Sequence, residues 1–185
     1  MNDINLFPRE NSIFLKKISS KSQIKKDDKC DGYFISANEN EARKIIQSQK
    51  NKIIAIDGGD DSFNRRAIET LKINYLVFPE KEPKKDSLKQ RDSGLNHYLA
   101  KECARKKIEL IINLDEIKNL KPAETAKVFS RIIQNIKLCR KTKCKIRIAS
   151  FAKKENETFS EIDRRAIGES LGMSTIQSKE SIKFN

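Results

Sequence analysis

The segment Ile53–Phe78, which reads IIAIDGGDDSFNRRAIETLKINYLVF, contains a strand, a helix and a second strand in succession. Its two apolar runs, Ile53–Asp57 and Tyr75–Phe78, are short and continuous, which is typical of strands buried on both faces of a parallel sheet. The intervening Ser62–Leu71 has helical spacing and predicts a helix that connects the two strands. The segment therefore predicts a βα unit followed by a second parallel strand.

The same alternation extends in both directions from this segment. The other predicted strands are Asp3–Phe7, Tyr33–Ser36, Ile108–Leu114 and Lys145–Ser150, with a seventh near Met173–Ile176. The other predicted helices are Ser12–Ser22, Glu39–Gln49, Leu95–Lys106, Ala123–Lys141 and Ser160–Leu171. Buried strands separated by helices of about 10–15 residues predict an α/β fold with a parallel sheet.

The number of units is close to that of a (β/α) barrel, although a full barrel typically needs about 250 residues and this chain has 185. We therefore predict a trimmed TIM-like (β/α) barrel with parallel strands and outer helices, and we keep an open doubly wound sheet as the alternative. One domain is expected over residues 1–185, because 37% of the residues are hydrophobic and can form a core. The irregular segment Pro79–Arg91 is interpreted as a loop of this domain.

The chain is strongly basic. Its 39 Lys and Arg residues exceed its 26 Asp and Glu residues and give a formal net charge of +13. Such an excess favours nucleic acid or an anionic membrane as a partner. The sequence has no apolar run of about 18 residues and no apolar signal core near its N-terminus, so we expect nucleic acid rather than a membrane, and a cytoplasmic location. The cysteines lack CxxC spacing and are expected to be reduced and mostly buried: Cys30, Cys103, Cys139 and Cys144.

The segment Arg91–Lys101 joins a charged turn to an amphipathic helix, in which apolar residues repeat every four positions from Leu95. Asp92 or Ser93 can cap the first turn by accepting a hydrogen bond from a backbone N–H group. Arg91 lies just before these N–H groups, and a helix N-terminus beside an arginine suits a phosphate group. The alternative is a capped helix with a solvated arginine.

The predicted helix Ala123–Lys141 has two different faces. Four apolar residues share one face at about 100° per residue: Phe129, Ile132, Ile133 and Ile136. The opposite stripe is either a solvated face or a binding surface, and its members are Lys127, Arg131, Gln134 and Lys141. Arg140 points with the apolar face, so we expect it to reach past the helix end or to meet a partner such as Asp57 or an RNA phosphate.

The chain offers phosphate-binding pieces but no convincing catalytic set. Asp57, Asp60 and Asp61 follow a predicted strand and could bind Mg²⁺ through their carboxylates, while the alternative is a Gly-Gly turn followed by acids that cap the next helix. His97 is the sole histidine in the sequence, so a histidine-rich metal site is excluded and His97 is interpreted as a surface or packing residue. Neither a GxGxxG motif nor a P-loop occurs. We therefore predict no catalytic residue and no metal ligand in the protein.

Several motifs resemble the ribonuclease P protein component 3 family, the archaeal counterpart of the eukaryotic thirty-kilodalton ribonuclease P and MRP subunit. The resemblance runs through Asp3–Leu6, Cys30–Tyr33, Gly58–Asp60, Phe63–Arg65, Arg91–His97, Asn135–Lys141 and Leu171–Met173. The RDSGLNH and NIKLCRK stretches are specific when they occur together. The order and spacing of these segments agree with the family over nearly the whole chain.

The resemblance implies a TIM-like barrel similar to the metal-dependent phosphoesterase barrels but without their histidines. It also implies a protein subunit of an RNA-based enzyme that removes the 5′ leader from precursor tRNA, with the active site in the RNA. The protein then binds no cofactor, and Mg²⁺ is used by the RNA component. The expected partners are the ribonuclease P RNA, precursor tRNA and the ferredoxin-like protein component 2, in a two-plus-two heterotetramer. An autonomous metal-dependent phosphoesterase is the alternative.

Five residues are the expected phosphate or sugar ligands because they lie at helix ends near the presumed C-terminal face of the barrel: Arg91, Asn96, Lys137, Arg140 and Lys141. The helices of the Leu95–Lys141 half are expected to contact component 2. The chain departs from the family pattern in its short Tyr33–Ile53 segment, which leaves closure of the barrel open, and in Phe151, which replaces a usual glycine. The absence of a long tail after Met173 favours an archaeal version.

Overall fold

The computed structural model describes residues 3–49, 51–81, 86–87 and 91–184. Within them, one parallel sheet has its strands in chain order: β1 (Ile4–Asn5), β2 (Ile13–Ile18), β3 (Gly32–Ile35), β4 (Ile53–Asp57), β5 (Tyr75–Val77), β6 (Glu109–Asn113) and β7 (Ile146–Ala149). The helices are α1 (Glu39–Ser48), α2 (Asp61–Thr70), α3 (His97–Lys106), α4 (Leu114–Lys118), α5 (Pro122–Thr142), α6 (Glu161–Ser170) and α7 (Thr175–Ser181). Short 3₁₀ turns cover Lys21–Gln23 and Glu155–Glu157. None of the described helices is both long and apolar enough to cross a membrane.

The sheet curls into a nearly closed barrel. Each pair of neighbouring strands, from β1 with β2 to β6 with β7, is parallel. The segment after β7 then returns to β1, because the Phe151 N–H donates to the Ile4 carbonyl at 2.9 Å and the Leu6 N–H donates to the Ala152 carbonyl at 2.8 Å. The predicted trimmed TIM-like barrel is confirmed, and the alternative of an open doubly wound sheet is wrong.

Apolar side chains fill the inside of the barrel. Phe34 of β3 lies edge-on against Phe151, with ring centroids 5.1 Å apart and ring planes at 72°. The register pairs Phe34 with Ala55, so these two residues share the inner face of the sheet. Alternate residues such as Ile56 and Leu76 point to the outer face, where the helices pack. Phe34, Ala55 and Phe151 are buried, as expected of a barrel that is a packed core rather than a pore.

The C-terminal segment covers the end of the barrel at which the strands begin. Tyr75, the first residue of β5, packs edge-on against Phe184 with ring centroids 6.4 Å apart. Arg147 of β7 donates from Nε to Glu109 Oε2 at 2.7 Å and from Nη1 to the Glu180 carbonyl. Arg147 is 4% exposed and the Glu109 side chain is partly exposed, so this ion pair is largely shielded from water. The carboxyl ends of the strands, at the opposite end of the barrel, lead into the loops that form the site described below.

Two of the predicted elements are wrong. Ser12–Ser22 was predicted as a helix, but it contains β2 and the first 3₁₀ turn. In this segment the ladders to two parallel neighbours, β1 and β3, outweigh the helical spacing of the apolar residues. Met173–Ile176 was predicted as a strand, but Ser174 accepts a hydrogen bond from the Gln177 N–H at 3.2 Å and caps α7.

Candidate nucleic-acid interface

The segment Arg91–His97 forms a turn that ends in the cap of α3. Asn96 Oδ1 accepts a hydrogen bond from the Leu99 N–H at 2.9 Å, so the cap is Asn96. The prediction that Asp92 or Ser93 caps this helix is wrong, because α3 begins only at the residue after Asn96. Asn96, one of the predicted RNA ligands, is exposed at this helix start and uses its side-chain oxygen in the cap.

Helix α5 fixes the turn through the side chain of Gln134. Its Oε1 accepts a hydrogen bond from the Arg91 N–H at 2.8 Å, and its Nε2 donates to the Arg91 carbonyl at 2.7 Å. Nε2 also donates to Ser93 Oγ at 3.0 Å. One side chain thus engages both backbone groups of Arg91, while Arg91 itself stays exposed.

Arg131, one turn earlier on α5, is buried and paired. Its Nε donates to Asp86 Oδ1 and its Nη2 to Asp86 Oδ2, both at 3.1 Å, which makes the pair bidentate. Its Nη1 donates to the Glu80 carbonyl at 3.0 Å. Burial raises the pKa of Asp86, but the hydrogen bonds from Arg131 and from the Asp92 N–H outweigh this effect and hold the pKa below its ordinary value.

Asn135 completes the contact between α5 and the loop. Its Nδ2 donates to Glu80 Oε1 at 2.6 Å and to the Ser93 carbonyl at 3.0 Å. Arg131, Gln134 and Asn135 are spaced so that they share one face of α5. The interpretation of this stripe as a solvated face is therefore wrong for Arg131 and Gln134, although its outer members Lys127 and Lys141 are exposed.

A second side chain, Asn64 of α2, holds the turn from the other side. It exchanges hydrogen bonds with both backbone groups of Gly59, at 2.9 and 3.0 Å, and its Nδ2 reaches the Gly94 carbonyl at 3.4 Å. Gly94 has a φ of +74°, and a Cβ atom there would lie 2.4 Å from the Pro79 carbonyl oxygen. A glycine is needed at this position because of both its left-handed backbone and the close approach of Pro79.

A cleft of about 560 Å³ lies between the turn, α2 and α3. The first residues of α2 and the cap of α3 line it, so the N-termini of two helices open into the same space. Each helix N-terminus carries unpaired N–H groups and a partial positive charge. Arg65 and Arg91 line the cleft as well, together with Asp61 and Asp92. Arg65 already pairs with Glu69 at 3.0 Å, so Arg91 and the two helix starts are the groups that can contact a phosphate in this cleft.

The other three predicted RNA ligands lie elsewhere on α5. Lys137, Arg140 and Lys141 are exposed, but the last turn of α5 leads into the start of β7. Arg140 and Lys141 are therefore near the end of the barrel where strands begin, and their predicted position at the C-terminal face is wrong. Arg140 donates to the Gly172 carbonyl at 2.7 Å and to Gln177 Oε1 at 2.9 Å, so Asp57 is not its partner.

The acidic group at the end of β4 has structural partners. Asp57 lies 2.5 Å from Lys81 Nζ and accepts a hydrogen bond from Ser36 Oγ at 2.9 Å. Asp60 caps α2 by accepting from the Phe63 N–H at 2.7 Å, and this bond and the Ser62 hydroxyl lower its pKa. Among the described residues, no group of His, Cys, Asp and Glu side chains is arranged to hold a metal ion. The capping interpretation fits Asp60.

The remaining chemically reactive residues also have ordinary settings. His97 is the first residue of α3 and is exposed, which fits its interpretation as a surface residue. The four cysteines, which all lie within the described residues, are buried and unbridged, as predicted.

Fold and site together define a TIM-like α/β barrel with a cleft of mixed charge, lined by two arginines and two helix N-termini, at the carboxyl end of its strands. The model of the RNase P subunit p30 family matches residues 34–185. The chain therefore belongs to the RNase P subunit p30 family.

Curated relatives of the chain are described as ribonuclease P subunits. Ribonuclease P protein component 3 of Methanococcus vannielii is 30% identical over 120 residues, which are 64% of this chain and 49% of the relative. The protein of the same description from Methanothermobacter thermautotrophicus is 25% identical over 154 residues, or 82% of this chain and 60% of the relative. The chain thus spans about half the length of the curated relatives it matches.

Two solved structures show the fold. A chain from the cryo-EM structure of archaeal ribonuclease P with mature tRNA superposes with a TM-score of 0.73 at 21% identity, and the match covers 96% of this chain and 85% of that one. The crystal structure of A. niger ochratoxinase gives a TM-score of 0.59 at 11% identity, with 83% of this chain and 38% of that chain covered. At such low identities the likeness concerns the barrel fold.

The sequence motifs pointed to the turn, but they did not reveal what holds it. The stripe that contains Arg131 and Gln134 was predicted to be either a solvated face or a binding surface, and Asn64 and Arg65 were not singled out as site residues. Their role follows from contacts with residues that are distant in the chain; Gln134 and Arg91, for example, are 43 positions apart. The helical spacing of Arg131, Gln134 and Asn135 was the available signal, since three polar residues on one face can contact one loop.

Proposed function

We propose that this chain is a protein subunit of the ribonuclease P ribonucleoprotein and supports RNA-catalysed removal of the 5′ leader from precursor tRNA. The chain contributes no catalytic residue, and Mg²⁺ serves the RNA component. Family membership supports this role, as do the descriptions of the curated relatives and of the archaeal ribonuclease P structure with tRNA. The ribonuclease P RNA and precursor tRNA are the proposed nucleic-acid partners, and the cytoplasm is the proposed location.

The cleft between α2, α3 and the Arg91 turn is the observation that carries the proposal. The turn is held by α5 on one side and by Asn64 on the other, so Arg91 is presented on a fixed backbone. An arginine on a fixed backbone beside helix N-termini binds a phosphate at a smaller entropic cost than one on a mobile loop. Phosphate contacts of this kind position an RNA without reading its sequence.

The alternative of an autonomous metal-dependent phosphoesterase has no support from the site. Asp57 is paired with Lys81, and Asp60 is used as a helix cap. Phe34 and Phe151 pack inside the barrel, where they supply no oxygen or nitrogen ligand. The role of RNA-associated subunit is therefore the one we propose.

The proposed protein partner is the ferredoxin-like ribonuclease P component 2, in a two-plus-two assembly. The proposed contact surface is on the helices of the Leu95–Lys141 half, α3 and α5. A partner that binds the folded chain stabilises it by mass action. Adding component 2 in excess should raise the melting temperature in a dose-dependent way and protect the amides of Leu95–Arg105 and Arg131–Lys141 from hydrogen exchange. Protection confined to the N-terminal strands would place the interface elsewhere, and an unchanged melting temperature would exclude the pairing.

RNA affinity measured at several salt concentrations tests the role of the cleft. Replacing Arg91 by alanine should weaken binding of the ribonuclease P RNA and lower the slope of log affinity against log salt by about one, because one phosphate contact is lost. The matched control is Lys179→Ala, which removes an exposed positive charge from α7 at the opposite end of the barrel. Equal effects of the two substitutions would show that Arg91 acts through net charge rather than through a site.

A further inference from the structure

A second basic surface lies at the end of the barrel where the strands begin. It is a groove of about 790 Å³ between the end of α1, the start of β4, the segment before β5 and the end of α3. Four lysines line this groove, and its described lining residues include no carboxylate: Lys52, Lys72, Lys106 and Lys107.

The groove differs from the neighbouring helices, on which arginines form ion pairs with glutamates. On α1, Arg43 pairs with Glu39 at 3.1 Å, and on α2, Arg65 pairs with Glu69 at 3.0 Å. On α3, Arg105 pairs with Glu102 at 2.6 Å. In the described part of the chain, Lys72 and Lys107 make no such ion pair and are exposed. The groove therefore keeps its positive charge.

The lysines at the walls differ in how firmly they are held. Lys106 Nζ donates to the carbonyls of Ile68 and Glu69, at 2.9 and 2.5 Å, and Lys52 Nζ donates to the Cys30 carbonyl. An ammonium group has three donors, so each keeps at least one for a ligand. Lysines that are already ordered lose less conformational freedom when they bind an anion.

The floor of the groove is apolar. Ile46 and Ile53 are half-buried and present most of this apolar surface, whereas Ile73 is buried. Anionic groups alone would leave these isoleucine surfaces in contact with water. A ligand that combines negative charge with an apolar side chain would pair with the lysines and also cover the isoleucines.

We propose that this groove binds an acidic segment of a partner protein, in which carboxylates meet the lysines and an apolar side chain packs on the isoleucines. A phosphodiester backbone matches the lysines, but the described lining residues include no aromatic side chain on which nucleic-acid bases could stack, which favours a protein segment over RNA. The proposal does not rest on the ribonuclease P role, because the groove and the Arg91 cleft lie at opposite ends of the barrel.

A direct test measures fluorescence anisotropy of a short fluorescein-labelled peptide built from glutamate and leucine. The double substitution Lys72→Glu with Lys107→Glu should weaken its binding by about tenfold, since two attractive charge contacts become repulsive. The matched control, Lys118→Glu with Lys179→Glu, changes two exposed lysines outside the groove and alters the net charge equally. The control should change the affinity by less than about twofold.

Two further measurements keep the test decisive. The neutral pair Lys72→Gln with Lys107→Gln should give a smaller loss in the same direction, which guards against misfolding of the charge-reversed protein. A peptide with serine in place of leucine should bind more weakly if the isoleucine floor takes part. The proposal is overturned if the peptide does not bind, or if groove and control variants lose affinity equally. It is also overturned if the groove variant impairs binding of a uridine oligonucleotide while leaving peptide binding intact.

Discussion

Replacing Arg131 by methionine should destabilise the protein strongly, because it leaves the Asp86 carboxylate without its main partner. The side chains of Arg131 and Asp86 are 6% and 12% exposed. Removing one partner of a buried ion pair costs about 3–5 kcal/mol. Asp86 keeps its 2.9 Å hydrogen bond from the Asp92 N–H and some access to water, so the lower end of this range, about 3 kcal/mol, is expected.

Thermal and urea unfolding followed by circular dichroism measure this loss. For a domain of this size, each kcal/mol lowers the melting temperature by about 2–4 °C, so a decrease of about 6–12 °C is expected for Arg131→Met. The double variant with Asp86→Asn should lose about 1–3 kcal/mol less than the sum of the single variants, because the two residues contact each other. A loss below about 1 kcal/mol for Arg131→Met, or strict additivity, would refute the buried-pair account.

Three further outcomes follow from the same loop. Gly94→Ala should lower the unfolding free energy measured in urea by about 2 kcal/mol or more, because the residue has a positive φ and its new Cβ atom would clash with the Pro79 carbonyl. Gly172→Ala also has a positive φ, but its Cβ atom would have no neighbour within 4 Å, so its loss should be smaller. Gln134→Ala should reduce the free energy of RNA binding by more than it reduces the free energy of unfolding, because Gln134 positions the Arg91 backbone. RNA affinity equal to that of the wild type would contradict this positioning role. The pKa of Asp86 is lowered in the folded protein, so its carboxylate stabilises the fold at pH values above its ordinary pKa of about 4. This stabilisation is lost as the pH falls through the folded pKa. Below about pH 4 the unfolding free energy should therefore fall less steeply in Asp86→Asn than in the wild type.

The barrel units could be predicted where short apolar runs alternate with clearly amphipathic segments. Residues 53–78 show this best, since β4 covers the predicted Ile53–Asp57 and α2 and β5 lie within about one residue of their predicted bounds. The helix predicted over Ser12–Ser22 is wrong because Ile13–Ile18 forms β2 by pairing with β1 and β3, and local spacing does not encode that pairing.

The candidate site could be predicted in part. The Arg91 turn was expected to adjoin a helix start, and it does. The side chains that hold the turn could not be assigned, because Arg131 and Asp86 are 45 residues apart in the chain and meet only in the folded barrel. For the same reason Asp57 was one of two partners considered for Arg140, the other being an RNA phosphate. In the structure α5 carries Arg140 to the opposite end of the barrel, and Lys81 pairs with Asp57.

Cleavage of precursor tRNA by the reconstituted ribonucleoprotein tests the central claim most directly. The cognate ribonuclease P RNA and its other protein subunits are assembled with and without this chain, and the rate of 5′-leader removal is measured at low Mg²⁺. We expect a slower rate when the chain is left out, because Arg91 and its cleft no longer contact RNA phosphates, and no cleavage by the chain without the RNA. Equal rates with and without the chain would contradict the account.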